Sequence, residues 1–237
     1  MRVAVSWSGG MESCLACHKV IGRGYDVACI VTFILDTWPF LCHPLPLMSL
    51  QSKALGIPHL KVKVKEPYRK GYREAISRLM KTEGIEGIVT GDISVINRTH
   101  GRWMEDVCEG LDIAVVMPLW GLDPYQILNE EISEGFRAVF TCVRQPWFDE
   151  EWLGRELDRE CLKDLKALID KCGIDPCGEK GEYHTMVIDA PIFKEAIEIS
   201  KFSKEKQNTL LFIRVNEFSL KPKTPVGEKR IDHERIH

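Results

Sequence analysis

The feature that most constrains this chain lies at its amino terminus, where an apolar strand breaks into a glycine turn and then a helix. Residues 3–5 have the β-branched character of a strand buried on both faces, and the apolar spacing from Leu15 to Ile21 suits a helix packed on a sheet. Backbone N–H groups at the start of such a helix lack intrahelical partners, and the helix dipole favours anions there. Residues 8–13, here called the Ser-Gly-Gly loop, are therefore a candidate phosphate cradle.

Ordinary turn chemistry is an open alternative for the Ser-Gly-Gly loop. Its glycines, Gly9 and Gly10, are common turn residues, and Ser13 could merely cap the helix. If the loop binds a phosphate, Ser8 and Ser13 add hydroxyl donors. Two familiar nucleotide motifs are excluded, because the loop has neither the Gly-Lys-Ser/Thr ending of a Walker loop nor the Gly-x-Gly-x-x-Gly spacing.

Strands and helices alternate over residues 1–120, which predicts right-handed βαβ units and an α/β fold with a doubly wound parallel sheet. The predicted strands are residues 3–5, 27–33, 59–64, 88–90 and 113–117, and the predicted helices after the first are residues 47–55, 68–82 and 97–108, with a loop at residues 36–46. In such sheets ligands bind beyond the carboxyl ends of the strands. The Ser-Gly-Gly loop should therefore lie beside Asp92, which could hold Mg2+ against a phosphate or simply cap the segment that follows.

The pattern changes after residue 120. Helices are predicted at residues 124–134 and 157–172, and strands at residues 136–143, 186–188 and 210–215. We interpret residues 1–120 as a nucleotide-binding domain and residues 121–220 as a smaller α+β lobe for the substrate. Residues 221–237 are rich in charge and are predicted to be a mobile tail.

The composition of the chain limits the kinds of molecule that it is expected to bind. With 44% hydrophobic residues, 28% charged residues and a net charge of -3, the chain has no electrostatic footprint for nucleic acid. The absence of a leader and of a long apolar run predicts no membrane partner. Nine cysteines without a disulfide spacing favour a reducing cytoplasm. Residues 14–18 match the haem-attachment pattern Cys-x-x-Cys-His, which we reject because that attachment belongs to exported proteins.

Two carboxylates and an imidazole cluster in the second lobe. Glu179, Glu182 and His184 fall within six residues and are flanked by Gly178 and Gly181. Such a group could bind an ammonium ion, orient an amine or move a proton. A solvent-exposed turn without a chemical role could contain the same residue types, so the cluster alone leaves both interpretations open.

The Ser-Gly-Gly loop resembles the Ser-Gly-Gly-x-Asp-Ser loop of the PP-loop ATP pyrophosphatases, with Glu12 at the position of the Asp. Beyond it, an ordered set of motifs is similar to those of the diphthine-ammonia ligase family of N-type ATP pyrophosphatases. These motifs are LQSKALGIP at residues 50–58, PLWG at 118–121, EWLGR at 151–155, GEKGEYHT at 178–185 and DAPIF at 189–193. The resemblance covers the chain from residue 3 to about residue 193.

The resemblance implies an activity and a set of site residues. ATP would be bound by the loop and by the strand-end acid, that is by Ser8, Gly9, Gly10, Glu12, Ser13 and Asp92, with Mg2+ held by Glu12 or Asp92. A substrate carboxylate would attack the α-phosphorus of ATP, and ammonia would convert the acyl-adenylate into an amide and AMP. Glu179, Glu182 and His184 would be the catalytic residues. In that family the substrate is the modified histidine of translation elongation factor 2, which implies a protein partner.

Three departures from the family pattern keep alternatives open. Met11 and Glu12 differ inside the loop, and His184 stands where the family usually has Glu. The alternatives are a related ligase acting on a corrinoid or another small carboxylic acid and a non-catalytic ATP-binding sensor of the same fold. A tRNA thiolase would share the loop, but the acidic balance disfavours an RNA surface. The sequence leaves a homo-oligomer open.

Overall fold

The computed structural model describes residues 1–35, 41–94 and 102–223. Three of the expectations above extend beyond these ranges. Residues 36–40 of the predicted loop, residues 97–101 of the predicted helix and residues 224–237 of the predicted tail lie outside the described residues.

A five-stranded parallel sheet forms the first half of the chain, in the order β3-β2-β1-β4-β5. Its strands are β1 (Arg2–Ser6), β2 (Asp26–Leu35), β3 (His59–Val64), β4 (Gly87–Val89) and β5 (Ala114–Val116), and its helices are α1 (Met11–Gly22), α2 (Leu45–Leu55), α3 (Tyr68–Glu83) and α4 (Trp103–Cys108). The strand order reverses direction beside β1, which makes the gap between β1 and β4 the crevice where such sheets bind ligands. The predicted α/β fold with a doubly wound parallel sheet is confirmed.

The central strand β1 is buried as its composition predicts. Val3, Ala4 and Val5 have no exposed surface, and β1 pairs with β2 on one side and β4 on the other. The chain then turns through the Ser-Gly-Gly loop, and α1 begins at Met11 directly after Gly10. The loop therefore lies at the carboxyl end of the central strand.

A second, antiparallel sheet has the order β7-β6-β9-β8. Its strands are β6 (Arg137–Arg144), β7 (Tyr183–Asp189), β8 (Glu195–Gln207) and β9 (Leu210–Pro222), accompanied by α5 (Pro124–Ser133), the short 3-10 helix Glu150–Trp152 and α6 (Arg159–Cys172). The predicted smaller α+β lobe is thus present. Helix α6 starts two residues later than predicted because the Asp158 side chain accepts hydrogen bonds from the backbone N–H groups of Glu160 and Cys161 and caps it.

Sequence patterns missed β8 and predicted β7 and β9, the strands before and after it in the chain, too short. β8 is an edge strand whose residues are mostly exposed and rich in lysine and glutamate, so it lacks the apolar alternation of a half-buried strand. It pairs with β9 along its whole length. β9 continues to Pro222, so the first two residues of the predicted tail belong to a strand.

The two sheets share one apolar core through α1 and α2. One buried cluster joins Val5 and Leu15 of the first sheet's side to Phe140 and Leu165 of the second. A separate cluster, which includes Ile76 of α3, covers the opposite face of the parallel sheet. Across the described ranges we find no helix with the length and apolar character needed to span a bilayer.

Candidate active site

The Ser-Gly-Gly loop is a tight turn whose backbone requires glycine. Gly9 has a φ of +79°, the left-handed conformation that glycine adopts most easily. A Cβ on Gly10 would lie 3.3 Å from the carbonyl oxygen of Thr185. Ser13 Oγ donates to the carbonyl of Gly10 over 3.1 Å, and Ser8 Oγ donates to Ser13 Oγ over 3.2 Å. Both hydroxyls therefore stand at the amino end of α1, where an anion is favoured.

Gln51 of α2 holds the loop in place, and the sequence did not single it out. Its side chain is fully buried. Gln51 Oε1 accepts from the indole N–H of Trp7 at 2.9 Å, while Nε2 donates to the carbonyls of Gly9 at 2.9 Å and Val187 at 2.8 Å. One amide thus joins α2, the Ser-Gly-Gly loop and β7. The available signals were its place in a predicted helix and in the family-like motif at residues 50–58.

A cavity of about 540 Å3 opens beyond the carboxyl ends of β1 and β4. This volume falls within the range of small-molecule sites. Seven of the nine predicted site residues line it, namely Ser8, Gly10, Glu12, Ser13, Asp92, Glu179 and His184. The fold therefore brings segments from the start, the middle and the end of the chain to one place.

Gly9, the first of the two predicted residues that do not line the cavity, faces the second sheet. A Cβ at this position would lie 2.6 Å from Oε1 of Gln51 and 2.7 Å from Cε of Met186. Its carbonyl accepts a hydrogen bond from the backbone N–H of Val187 at 3.0 Å. Gly9 thus lets the loop pack against β7, and its role in binding the nucleotide stays a prediction.

Glu182 is the second predicted site residue that does not line the cavity. Its carboxylate accepts hydrogen bonds from backbone groups of its own loop. The residue is 3% exposed and accepts backbone hydrogen bonds from Asp175 at 3.0 Å and Lys180 at 3.1 Å. These bonds close the loop that carries Glu179. The Glu182 carboxylate therefore stabilises this loop, and its catalytic role stays a prediction.

Gly91 and Asp92 follow β4 and meet the start of α1. A Cβ on Gly91 would lie 2.7 Å from the backbone carbon of Glu12 and 2.9 Å from the backbone nitrogen of Ser13, so only glycine fits. Thr90 Oγ1 donates to Oδ2 of Asp92 at 2.8 Å and orients the carboxylate. This close approach of β4 to α1 puts Asp92 and Glu12 on the same wall.

Burial changes the acidity of the carboxyl groups on that wall. Burial raises the pKa of Glu12 to about 7, and the charge of Asp175 adds to the rise. The pKa of Glu179 rises to about 8, first through burial and then through Glu12 and other acids. Burial also raises the pKa of Asp92, against the hydrogen bond from Thr90. A bound cation would return these groups to their charged form.

The donor set can be tested against Mg2+. Within residues 1–35, 41–94 and 102–223, no three His, Cys, Asp or Glu side chains are placed to hold a metal ion together. Glu12 and Asp92 supply two carboxylates, and Mg2+ in nucleotide sites commonly takes one or two carboxylates together with substrate phosphates and water. The residues therefore fit a Mg2+ shared with a nucleotide, and a dedicated protein cage is absent from the described residues.

Two histidines from distant parts of the chain meet at the cavity. His43 Nε2 lies 3.2 Å from His184 Nδ1, and the rings are nearly perpendicular, with centroids 4.9 Å apart. Burial lowers the pKa of His43 to about 3, and the neighbouring His184 lowers it further. Burial likewise lowers the pKa of His184 to about 4, with a further contribution from Arg144. Both imidazoles are neutral at pH 7. His43 escaped the sequence interpretation because it sits in a loop 141 residues before its partner.

The sheet is doubly wound and parallel, a serine and glycine turn follows its central strand, and a second lobe closes the cavity. These features together define an α/β protein of the PP-loop type. Two family models match the chain: Diphthamide synthase N-terminal domain over residues 1–114 and Diphthamide synthase C-terminal domain over residues 123–220. The chain belongs to the diphthine-ammonia ligase family.

Curated relatives carry the same family name. The diphthine-ammonia ligase of Bos taurus is 24% identical over 268 residues, covering 100% of this chain and 99% of the relative. The diphthine-ammonia ligase of Homo sapiens is 25% identical over 222 residues, which are 83% of this chain and 82% of the relative. The Schizosaccharomyces pombe enzyme is 26% identical over 223 residues, which are 84% of this chain and 36% of the relative.

Among solved structures, a chain described as a predicted subunit of tRNA methyltransferase from Methanocaldococcus jannaschii is 16% identical. The TM-score is 0.44, and the match covers 81% of this chain and 98% of that chain.

Proposed function

We propose that this chain is an ATP-dependent, AMP-forming amide ligase that activates the carboxylate of diphthine on translation elongation factor 2 and transfers ammonia to it. One observation carries the proposal. The Ser-Gly-Gly loop, Glu179 and His184 at the start of β7 line the same cavity of about 540 Å3, in a chain of the diphthine-ammonia ligase family. A nucleotide and an acyl group can therefore meet in one site.

In the first half-reaction the substrate carboxylate attacks the α-phosphorus of ATP, and pyrophosphate leaves. Ser8, Ser13 and the free N–H groups at the start of α1 hold the departing phosphates. Such donors stabilise negative charge as it builds on the leaving group. Mg2+, held by Glu12 and Asp92, would neutralise part of the phosphate charge.

In the second half-reaction ammonia attacks the acyl-adenylate and AMP leaves. Attack generates a positively charged nitrogen that must lose a proton. Glu179 lines the cavity with a pKa raised to about 8, which suits a group that accepts a proton near neutral pH. Glu179 is therefore our candidate general base.

The two parts of the chain would divide the substrates between them. We assign ATP to residues 1–120 and the acyl substrate, with its protein, to residues 121–220. We place the reaction in the cytoplasm, because all nine cysteines are free thiols, as a reducing compartment would keep them.

The test is to incubate the protein with ATP, Mg2+, ammonium and elongation factor 2 bearing diphthine. We expect stoichiometric AMP, pyrophosphate and amide, the last measured by mass spectrometry of the modified peptide. AMP release with a small carboxylic acid in place of the factor would contradict the assigned substrate. ATP binding without turnover on either acid would replace the ligase by a nucleotide sensor.

A further inference from the structure

The pairing of His43 with His184 is built into the fold at an irregular point of β6. Phe140 pairs with Thr185 and Cys142 pairs with His184, so Thr141 is an extra residue in a β-bulge. Bulges re-aim side chains and are frequent beside active sites. The buried Thr141 hydroxyl donates to the carbonyl of Cys42 at 2.6 Å. This hydrogen bond docks the segment carrying His43 against the bulge of β6, which pairs with β7 beside His184.

The single hydrogen bond between the rings admits two proton arrangements. In one, His43 Nε2–H donates to His184 Nδ1, which leaves His184 with a proton on Nε2. In the other, His184 Nδ1–H donates to His43 Nε2, and His43 must then carry its proton on Nδ1. The two arrangements give His184 opposite chemistry toward the cavity, a donor in the first and an acceptor in the second.

The surroundings of His43 favour the first arrangement. His43 Nδ1 is buried and has no hydrogen-bond partner within the described part of the chain. A buried N–H group without an acceptor is rarer in native proteins than a buried acceptor without a donor. An unprotonated Nδ1 on His43 therefore costs less, and it requires the proton on Nε2.

We infer that His43 is a positioning residue that holds His184 as a neutral imidazole with its proton on Nε2, and that His184 donates this proton in a hydrogen bond to the acyl carbonyl oxygen during amide formation. The inference rests on the proposed function. It gives His184 the task of an oxyanion donor in place of the proton transfer expected from the sequence.

The electron balance of the step shows why a donor is needed. The nitrogen lone pair of ammonia forms the new C–N bond, and the carbonyl π electrons move to the oxygen. The oxyanion then returns its electron pair to carbon, the bond from carbon to the AMP oxygen breaks, and the nitrogen proton passes to Glu179. His184 stabilises the negative oxygen through its N–H and exchanges no net proton.

The charge of the site makes a neutral donor useful. Glu12, Asp92 and Glu179 all line the cavity, and burial raises the pKa of each of them, so protonated and charged carboxyl groups coexist on this wall near pH 7. A neutral imidazole can donate a hydrogen bond there without forming an ion pair with the neighbouring acids. Neutral histidine can polarise a carbonyl in this manner.

The kinetic test separates the two half-reactions in His43→Ala, His43→Gln and His184→Ala. We expect ATP-pyrophosphate exchange within about 2-fold of wild type, because adenylation creates no oxyanion on the acyl carbon. Amide formation at saturating ammonium should fall roughly 100-fold or more in His184→Ala, as when an oxyanion donor is lost. It should fall roughly 10- to 100-fold in His43→Ala, as for partners that orient a ligating histidine. His43→Gln, whose amide N–H can replace Nε2–H, should recover most of the rate.

The matched control is His18→Gln, since His18 lies on α1 and pairs with Glu134 away from the cavity. We expect wild-type rates for this control. Equal loss in both half-reactions, or no recovery in His43→Gln, would assign His43 a merely structural role and overturn the inference.

The tautomer can be measured without any turnover. Long-range 1H–15N spectra of the imidazole rings, with His184 assigned by the signals missing in His184→Ala, should show the proton on Nε2 of His184. His43→Ala should convert that signal to an average of the two tautomers. A proton on Nδ1 of His184 in the wild type would overturn the inference. If the wild type forms no AMP, the proposed function and the oxyanion role fail together, and the spectra still decide the role of His43.

Discussion

Gly91 and Glu12 meet where the end of β4 faces the first turn of α1, and their contact leaves no room for a side chain. The positions that a Cβ on Gly91 would contact are backbone atoms of Glu12 and Ser13, which cannot move aside without shifting the helix start. Crowding at this one residue therefore acts directly on the Ser-Gly-Gly loop.

We predict that Gly91→Ala weakens ATP binding and lowers the free energy of unfolding by about 1–3 kcal/mol, the usual cost of overpacking. The measurements are ATP titration calorimetry and urea unfolding. Gly22→Ala in α1 is the matched control, because a Cβ there meets nothing within 4 Å. The control should leave both quantities near wild type or raise stability slightly. Equal ATP affinity in both variants would contradict the crowding argument.

Carboxyl groups on the cavity wall carry a second residue-scale consequence. Glu12 and Glu179 have an ordinary pKa of 4.5, and in the folded chain their pKa values rise to about 7 and about 8. A group with a raised pKa binds more protons in the folded than in the unfolded chain. Its contribution to stability is therefore lost as the pH rises from about 4.5 to the folded value.

We predict that the free energy of unfolding, measured with urea in the absence of Mg2+ and nucleotide, falls between about pH 6.5 and pH 8, above the range in which the lowered pKa values of His43 and His184 make stability rise with pH. Glu12→Gln and Glu179→Gln should each flatten this decline, because the replaced side chain no longer titrates. Glu74→Gln, at an exposed position of α3, is the control and should follow the wild-type curve. Variant curves that run parallel to wild type would show that these two carboxyl pKa values are not raised.

At the scale of elements, α2 is the connection between the two sheets. Gln51 links it to the Ser-Gly-Gly loop and to β7, and one turn further along α2 the carbonyl of Ala54 accepts a hydrogen bond from the backbone N–H of Lys194. The close packing of Gly9 on Met186 depends on the same alignment. A helix of the first half of the chain thus sets where the second sheet sits over the cavity.

Gln51→Leu tests this connection. The leucine removes three hydrogen bonds and leaves the buried Trp7 N–H and the Val187 carbonyl without this partner. Each stranded buried group costs roughly 1–3 kcal/mol, so we expect a clearly lower unfolding free energy and weaker ATP binding. Lys53→Ala, at an exposed position of the same helix, should change neither. If Gln51→Leu and Lys53→Ala had equal free energies of unfolding, the proposed role of Gln51 in connecting the two sheets would be contradicted.

At the scale of the whole molecule, one apolar core serves both halves of the chain. The buried cluster that contains Leu15 and Met48 also contains Phe140, Leu165 and Met186. The parallel sheet therefore has one face covered by its own helices α3 and α4 and the other covered by α1 and α2, which themselves need the second sheet. Each half lacks part of its cover when taken alone.

We predict that a fragment of residues 1–120 does not fold by itself, although it contains all five strands of its sheet. Exposure of the apolar faces of α1 and α2 removes the burial that stabilises them. The checks are the 1H–15N spectrum and the urea unfolding curve of the fragment beside those of the full chain. Dispersed peaks with a cooperative transition would show that residues 1–120 are an independent domain.

The sequence predicted most where the signal was local. Apolar runs and glycine stops placed the strands of the parallel sheet, and the rule for strand ends predicted that Ser8, Ser13 and Asp92 share one rim. The same rules failed for β8, whose exposed charged residues pair only because β9 lies beside it. The hydrogen bonds that Glu182 accepts from the backbone of Asp175 and Lys180 were not predicted either, because residue type says nothing about which backbone N–H groups a carboxylate meets.

By itself the sequence determined the α/β class and the Ser-Gly-Gly loop, since strand and helix periods and a turn motif are properties of neighbouring residues. The family came from the resemblance of an ordered set of motifs along the chain. Only the tertiary structure decided that His43 meets His184, that Gln51 joins two sheets and that Gly9 and Glu182 face away from the cavity. Those contacts join residues that are far apart in the chain, and they depend on packing and on the pairing of buried polar groups. Local spacing cannot encode them, because the partner of a buried polar atom is chosen by the whole fold.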